Sequence, residues 1–195
     1  MKLNRKKKRG LGISLLILML IFISNLFISY TVDVKQELTI NANIDSTWQV
    51  MGTEFSEVDI WCANFIKSEA GGSEKFNGID YSKRITLTTK GENTQELDDF
   101  DPINYILKYH ISEGKPGIAK EASALWSLVD LGLNKTKVVL EFKLVTKGWI
   151  GLLMSGKVRS GINSTSAEIA EELKYYMENG TAHPRKIKSL NKVKH

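Results

Sequence analysis

The longest helical pattern in the chain lies near its end, from Trp149 to Gly180, and it limits the possible folds more than any other feature. Apolar residues recur there at spacings of three and four, which places them on one side of a helix. This stripe consists of Met154, Val158, Ile162, Ile169, Leu173 and Tyr176. Gly180 suits a left-handed cap, and Pro184 is expected to prevent the helix from resuming. A helix of about thirty residues would run roughly 45 Å, so we expect it to lie across a whole sheet.

Two glycines interrupt the first half of this helical pattern. Gly156 and Gly161 each weaken a helix by about 1 kcal/mol relative to alanine. They indicate a close approach to another backbone or a site that must flex. The simplest interpretation is an amphipathic helix that closes a core, which leads to the question of what that core encloses.

Before the helix, short apolar runs alternate with turn residues. Every second residue from Leu38 to Ile44 is apolar, which predicts a half-buried strand. Asp45 or Ser46 can cap a short helix, and a second short helix begins near Ser56. Further strands are predicted at Phe65–Ile66, Ser82–Thr89, Thr94–Phe100, Tyr105–Ser112, Ala119–Val129 and Lys137–Val145. Because short turns join these strands, the sequence predicts an antiparallel meander between the short helices and the long one.

The N-terminus has the pattern of a membrane-directed segment. Six cationic residues lie within residues 1–9, and no charged residue occurs from Leu11 to Val32. About 20 such residues suffice to span a bilayer, so we expect a transmembrane signal anchor at residues 10–32. A cleaved signal peptide is the alternative, although the nearest cleavage position, Ser29 with Phe27 before it, is poor. The anchor predicts a single-pass membrane location, with residues 1–9 cytoplasmic and the body on the outer, periplasmic or extracellular, face.

The charge distribution argues against nucleic acid as a partner. Of the 27 cationic residues, six lie in residues 1–9 and five in residues 185–194, and neither segment contains an acidic residue. The remaining 16 cations face 22 acidic residues, so the body has a net charge of −6. Such a body has no basic stripe to displace phosphate counterions. Residues 181–195 are predicted to be a basic tail, and the single cysteine, Cys62, is expected to be buried.

This order of elements resembles the helix-grip superfamily, also called SRPBCC, which includes START lipid-transfer domains, polyketide cyclases and major pollen allergens. The stretch ELTINANIDSTWQVMGTEFSEVDIW resembles the family's opening strand and Trp-bearing helix. SKRITLTTKGENTQELDDFDPINYILKYHI resembles its Arg, Glu and Tyr on successive strands, and NKTKVVLEF resembles the strand before its final helix. The resemblance covers residues 35–180, and LKYYMENGTAHPRK resembles the close of bacterial members.

The resemblance implies an α+β fold with a cavity. In that fold a curved antiparallel sheet of about six to seven strands grips a long C-terminal helix, and two short helices follow strand 1. The apolar faces of two strands, one at Tyr105–Ile111 and one at Val138–Leu144, would enclose a chamber beneath the helix stripe. A mostly apolar pocket with a few polar groups is the usual form of a small-molecule site. The alternative is a solid core in which backbone groups satisfy the tyrosine hydroxyls.

Arg84 and Glu96 are the main candidates for polar groups in this chamber. They lie on neighbouring predicted strands, at the positions of the family's recurring Arg and Glu, and a buried charge requires a partner. Two interpretations stay open, a polar anchor for a ligand head group and a structural ion pair at the sheet edge. The predicted ligand-binding residues are Arg84, Glu96, Tyr105, Leu107, Tyr109, Trp126, Leu140, Phe142, Ile162 and Ile169.

Motifs for catalysis, metals or cofactors do not occur in the sequence. It contains no Ser-His-Asp order, metal-ligand spacing, phosphate loop or dinucleotide motif, so we predict no catalytic residue, metal or cofactor. His110 is expected to be solvated, and the acidic turn at residues 98–101 lacks the glycine and terminal Glu of a calcium loop.

Three classes of function remain at this stage. The first is a membrane-tethered module that binds or transfers a lipid or other hydrophobic small molecule, which the lack of a catalytic group favours. The second is a polyketide cyclase- or dehydrase-like enzyme, in which Arg84, Glu96, Tyr105 or Tyr109 polarises a carbonyl or moves a proton. The third is an anchored structural domain with a filled core. The sequence makes no prediction of the ligand's identity or of the oligomeric state.

Overall fold

The computed structural model describes residues 14, 19–20, 23–25 and 27–193, with the side chains of residues 191–193 left out. The strands are β1 (Ser29–Ile40), β2 (Phe65–Gly71), β3 (Lys83–Thr88), β4 (Gly91–Asp101), β5 (Ile106–Glu113), β6 (Ala119–Gly132) and β7 (Lys135–Lys147). The helices that follow β1 are α1 (Ile44–Trp48), α2 (Gly148–Leu153), α3 (Ser155–Asn179) and α4 (Pro184–Val193).

The seven strands form one antiparallel sheet in the order β1-β7-β6-β5-β4-β3-β2. Strands β2 to β7 pair in chain order, which is the meander that the sequence predicts. Strand β1 closes the sheet on β7, in a register that runs from Ser29 opposite Lys147 to Ile40 opposite Thr136. The predicted α+β fold, with an antiparallel sheet and a long C-terminal helix, is therefore confirmed.

The long helix is shorter than the sequence pattern predicts, because a single turn residue, Met154, interrupts it. Met154 has φ −88° and ψ −2° and divides the expected helix into α2 and α3, although its amide still donates to the Ile150 carbonyl oxygen at 2.9 Å. Helix α3 packs against β1 and β7 and ends as predicted, since Gly180 adopts the left-handed conformation with φ 67°. Its last half buries Ile169 and Leu173, whereas Val158 near its start is half-buried.

Polar contacts hold α3 on the edge strand β1. The amide of Gln36 donates to Asn163 Oδ1 at 3.0 Å and to Ser166 Oγ at 3.1 Å. Farther along the helix, Lys174 Nζ donates to the carbonyl oxygen of Thr39 at 2.8 Å. These bonds tie the helix to a strand that is itself fully paired with β7, so the helix keeps a defined position over the sheet.

Residues 184–193 form a further helix, where the sequence predicts a basic tail. The expectation that Pro184 stops helix formation is wrong, because a proline at the first helical position loses no hydrogen bond. Two basic side chains attach α4 to the domain. Arg185 Nε donates to Glu172 Oε1 at 2.8 Å, and the buried Lys186 donates through Nζ to the Phe65 carbonyl oxygen at 2.7 Å.

Strand β1 also corrects the prediction for the N-terminus. Residues 29–32, the last four of the predicted anchor, pair with β7, and Val32 is fully buried in the sheet. No helix within the described part of the chain is long and apolar enough to cross a membrane. This finding contradicts the predicted single-pass location with the body on the outer face. Residues 1–9, and residues 10–13, 15–18, 21–22 and 26 of the predicted anchor, lie outside the described residues.

The two predicted short helices after the first strand are present. Asn43, rather than Asp45 or Ser46, caps α1, and its side chain accepts a hydrogen bond from the Ser46 amide at 2.7 Å. A π-helical turn at Gln49–Thr53 and a 3-10 helix at Phe55–Ile60 complete this region. Cys62 follows them and is fully buried, as expected, and burial raises the pKa of its thiol.

Candidate ligand-binding site

A cavity of about 460 Å³ lies between the sheet and the first part of α3. Its walls come from β4 to β7, from Phe65 of β2 and from α3, and the loop before β6 contributes Pro116 and Ile118. The apolar part of the wall includes Ile118, Ala122, Ala124, Phe142, Leu144 and Ile162. Pockets of this size are typical of small-molecule sites.

The cavity exists because small residues face each other across this part of the fold. Strand β6 places Ala122 and Ala124 on its inner face, and Gly161 lies on the helix above. The next residue on the same face of β6 is Trp126, and it fills the interior. We call the packed region the filled half (Trp48, Met51, Phe55, Leu107 and Trp126) and the region around the cavity the hollow half (Ala122, Ala124, Phe142, Gly161 and Ile162).

Tyr109 stands at the boundary between the two halves. Its ring lies 5.0 Å from the Phe55 ring and 5.6 Å from the Trp126 ring, measured between centroids, and it also lines the cavity. Together with Phe65 and Gln95 it forms the inner end wall of the cavity. Burial raises the pKa of Tyr109 to about 12, so its hydroxyl keeps its proton at neutral pH.

Arg84 lies directly behind this end wall and is completely buried. Its Nε and Nη2 donate to Gln95 Oε1 at 2.9 and 2.7 Å, and its Nη1 donates to the Phe55 carbonyl oxygen at 2.6 Å. The guanidinium carbon lies 3.6 Å from the centre of the Phe55 ring, which adds a cation–π contact. Burial lowers the pKa of Arg84 to about 10, so the group is still a cation at neutral pH.

The cation of Arg84 has no anionic partner among the described residues. The sequence predicts Glu96 for that role, but the sheet register pairs Arg84 with Gln95 and Lys83 with Glu96. Because successive side chains of a strand lie on opposite faces of the sheet, the side chain of Glu96 lies on the face opposite the buried side chain of Gln95. Glu96 pairs in register with His110 of β5, and it does not line the cavity.

The other predicted residues divide between the cavity and the packed core. Tyr105 packs against the edge of the core, where it occupies a turn with φ 55°, its ring lies 5.8 Å from the Trp48 ring and its hydroxyl donates to Asp45 Oδ1 at 2.6 Å. The residues within the packed core are Leu107, Trp126 and Leu140. The residues that line the cavity are Tyr109, Phe142, Ile162 and Ile169.

Several lining residues are absent from the sequence prediction. Gln95 is one, because a register displaced by one residue exchanges it with Glu96. Three lysines, Lys90, Lys143 and Lys157, also contribute to the lining. Strand alternation places Lys143 on the face opposite Phe142, so the pattern gave no signal for it. Lys90 lies in the turn between β3 and β4, and a sequence pattern does not show where such a turn lies relative to a cavity.

Comparisons with known proteins agree on the fold. No family model and no curated protein sequence matches the chain. Among solved structures, a START superfamily protein from Mycobacterium smegmatis aligns with a TM-score of 0.64 and 14% identity, over 76% of this chain and 99% of that one. Norcoclaurine synthase from Thalictrum flavum, solved in complex with dopamine and hydroxybenzaldehyde, aligns with a TM-score of 0.58 and 16% identity, over 76% and 90% of the two chains.

A third solved structure, Ara h 8.0201, has a TM-score of 0.58 and 18% identity, over 76% of this chain and 98% of that one. Identities this low show the fold alone. The chain has the helix-grip fold that its sequence resembles, and this prediction is confirmed.

Proposed function

We propose that this domain binds a lipid or other hydrophobic small molecule in the cavity between the sheet and α3. The observation that carries the proposal is the cavity of about 460 Å³, which has an apolar wall and an end wall bearing Gln95 and Tyr109. An apolar enclosure supplies affinity through burial, and a few placed polar groups orient the ligand. In this domain the apolar wall and the polar end wall border the same cavity.

The energetics of the hollow half support the same conclusion. Side chains that border an empty apolar space lose the dispersion contacts that a packed core supplies, which lowers the stability of the fold. A ligand that fills the space would restore those contacts, and by mass action it would stabilise the folded state. The norcoclaurine synthase structure is a helix-grip protein with small molecules bound, which supports the proposal as a fold-level analogy.

The cyclase-like alternative has less support from the arrangement of its candidate groups. Of the four residues suggested for proton transfer or carbonyl polarisation, Tyr109 alone lines the cavity, while Arg84 lies behind the wall and Glu96 and Tyr105 lie elsewhere. Neither a carboxylate nor a histidine is present among the described lining residues. Because the pKa of Tyr109 is raised to about 12, its hydroxyl is a weak general base at neutral pH.

A cavity-filling substitution tests the proposal. Gly161 lines the cavity and a Cβ added there meets no atom within 4 Å, so we expect the ring of Gly161→Phe to occupy part of the cavity. We expect it to weaken the binding of Nile red, an uncharged apolar dye, by about tenfold or more. The melting temperature should not fall, because replacing a glycine inside a helix favours the helix.

Gly156→Phe is the matched control. Gly156 lies on the same helix, an added Cβ there also meets no atom within 4 Å, and the residue does not line the cavity. Dye affinity in this variant should stay within about twofold of the parent. Equal dye binding by the parent and a folded Gly161→Phe variant would place the ligand elsewhere and refute the proposal.

A further inference from the structure

The charged residues that line the cavity all have the same sign. Lys90 and Lys157 contribute to its wall, and none of the described lining residues is an aspartate or a glutamate. This local excess of positive charge occurs in a body whose net charge is −6. A cleft lined by one sign of charge attracts ligands of the opposite sign and raises their local concentration.

A further cation lies behind the inner end of the same cavity. The three end-wall residues all contact Arg84, with the guanidinium 5.2 Å from the Phe65 ring, 5.4 Å from the Tyr109 ring and hydrogen-bonded to Gln95. A charge surrounded by apolar groups acts over such distances more strongly than it does in water. The buried cation is therefore a source of positive potential at the end wall.

The polar groups of the end wall are arranged as hydrogen-bond donors. Arg84 can only donate hydrogen bonds, so it must face the oxygen of the Gln95 side-chain amide. The NH2 group of that amide is therefore free to donate to other groups. One N–H of that group bonds to Asn93 Oδ1 at 2.9 Å, and the other has no partner among the described residues. The neighbouring guanidinium cannot accept a hydrogen bond from the Tyr109 hydroxyl. That hydroxyl can therefore donate its proton to a group in the cavity.

We propose that the ligand is an amphipathic anion of the fatty-acid type. Its acidic group lies against Tyr109 and Gln95 at the end wall, and its alkyl chain runs beneath α3, past Ile162, toward Ile118. This inference rests on the proposed function and specifies the chemistry of its ligand. The acidic group would supply the counter-charge that Arg84 lacks, which offsets the cost of burying both charges. The lining lysines would draw the anion to the cavity.

A series of ligands with one chain length separates charge from hydrophobicity. Decanoate, 1-decanol and decyltrimethylammonium are titrated against Nile red bound to the full chain at neutral pH. We expect decanoate to displace the dye at concentrations about tenfold lower than decanol, and the cation to be the weakest of the three. Displacement by decanol or by the cation at concentrations equal to or below those of decanoate would overturn the inference.

The same titration distinguishes this inference from the proposed function. If none of the three compounds displaces the dye and the dye itself does not respond to Gly161→Phe, the hydrophobic site is absent and both proposals fail. If decanol displaces the dye as well as decanoate does, the site exists, and the anionic character of its ligand alone is refuted.

Tyr109→Phe tests where the acidic group lies. The substitution removes one hydroxyl and keeps the ring, so the shape of the end wall is preserved. We expect the affinity for decanoate to fall by about tenfold, since a hydrogen bond to a charged group is lost, while the affinity for decanol stays within about twofold. Equal losses for both ligands would show that Tyr109 acts through shape, and would overturn the placement of the acidic group at the end wall.

A pair of double variants tests the role of the lining lysines. Lys90 and Lys157 are replaced by glutamine in one variant, and Lys120 and Lys135, which do not line the cavity, are replaced in the other. The two variants have the same net charge. We expect the first variant to lower the preference for decanoate over decanol by about threefold, and the second to leave it unchanged. An equal change in both would attribute the preference to net charge and overturn the role of the lining.

Discussion

The two halves of the space beneath α3 differ in how the same elements fill it. In the filled half, Trp126 of β6 packs edge-on against Phe55 and Tyr109, and all three are buried. In the hollow half, the same strand presents Ala122 and Ala124, and the helix above them contributes Gly161. Because one strand and one helix border both regions, the size of the side chains decides where the cavity lies.

The comparison indicates a division of labour within one domain. The filled half supplies the dispersion contacts and apolar burial that stabilise the fold. The hollow half gives up those contacts and keeps space for a ligand. The boundary between them, at Arg84 and Tyr109, carries the polar groups of the site. Four predictions follow the difference between the halves, from the largest expected effect to the smallest.

Of all the substitutions, an aspartate buried in the filled half should lower the stability of the fold most. Leu173 is fully buried there, so Leu173→Asp buries an unpaired charge at a cost of several kcal/mol, comparable to the whole stability of a domain. We expect this variant to unfold or fail to accumulate. Val158 lines the cavity and is half-buried, so Val158→Asp is the control and should cost about 1 kcal/mol or less, since its carboxylate can reach water. Similar thermal melting of both variants would contradict the comparison.

Deleting a phenylalanine ring should show the next largest difference. Phe55 is fully packed against Arg84 and Trp126, so we expect Phe55→Ala to lower the free energy of unfolding by about 3–5 kcal/mol. Phe142 already borders the cavity, and Phe142→Ala should cost about half as much, because fewer contacts are lost. Urea denaturation measures both values. A larger loss at Phe142 would show that the hollow half is not hollow in solution.

The attachment of α4 should have an intermediate effect. Arg185 pairs with Glu172, which is fully buried, so Arg185→Met leaves that carboxylate without its cation. We expect a loss of about 2 kcal/mol, less than for a fully buried pair because Arg185 is partly exposed. Arg159→Met, which removes a surface contact to the Asp33 carbonyl oxygen, should change the stability by about 0.5 kcal/mol at most. If the two variants are equally stable, α4 does not stabilise the filled half.

The smallest effect should change its sign between the halves. Gly52 lies in the filled half, and an added Cβ would lie 2.6 Å from the Trp48 ring, so Gly52→Ala should destabilise the protein by about 1–3 kcal/mol. At Gly161 an added Cβ meets no atom within 4 Å, so Gly161→Ala should stabilise α3 by about 0.5–1 kcal/mol. Chemical denaturation of the two alanine variants gives both signs. A stabilising effect at Gly52 would contradict the tight packing of the filled half.

Local patterns in the sequence were sufficient for most of the fold. The positions of β3 to β7, the short helices and the end of α3 at Gly180 follow from alternation, helical spacing and capping, which depend on neighbouring residues. Part of the candidate site followed in the same way, since Tyr109, Phe142, Ile162 and Ile169 lie on apolar faces that meet at the cavity. These features need no knowledge of distant parts of the chain.

Predictions failed where the outcome depends on partners far away in the sequence. Residues 29–32 are uncharged and continue a segment that suits a membrane span, but they form a strand because they pair with the edge of β7. Pro184 begins α4. This helix is held against the domain because Arg185 binds Glu172 and Lys186 binds the Phe65 carbonyl oxygen. In both places the local sequence pattern supported the prediction, and a contact with a distant part of the chain produced a different structure.

By itself, the sequence determined which residues alternate, which repeat with helical spacing and which residues end an element, and therefore the helix-grip order of strands and helices. Only the tertiary structure decided that Arg84 faces Gln95 rather than Glu96, because a shift of one residue in the register between β3 and β4 exchanges the two faces of a strand. It also decided that the space over Ala122 and Ala124 stays open. A cavity is a difference in volume between surfaces that meet only after folding, and no local pattern along the chain contains it.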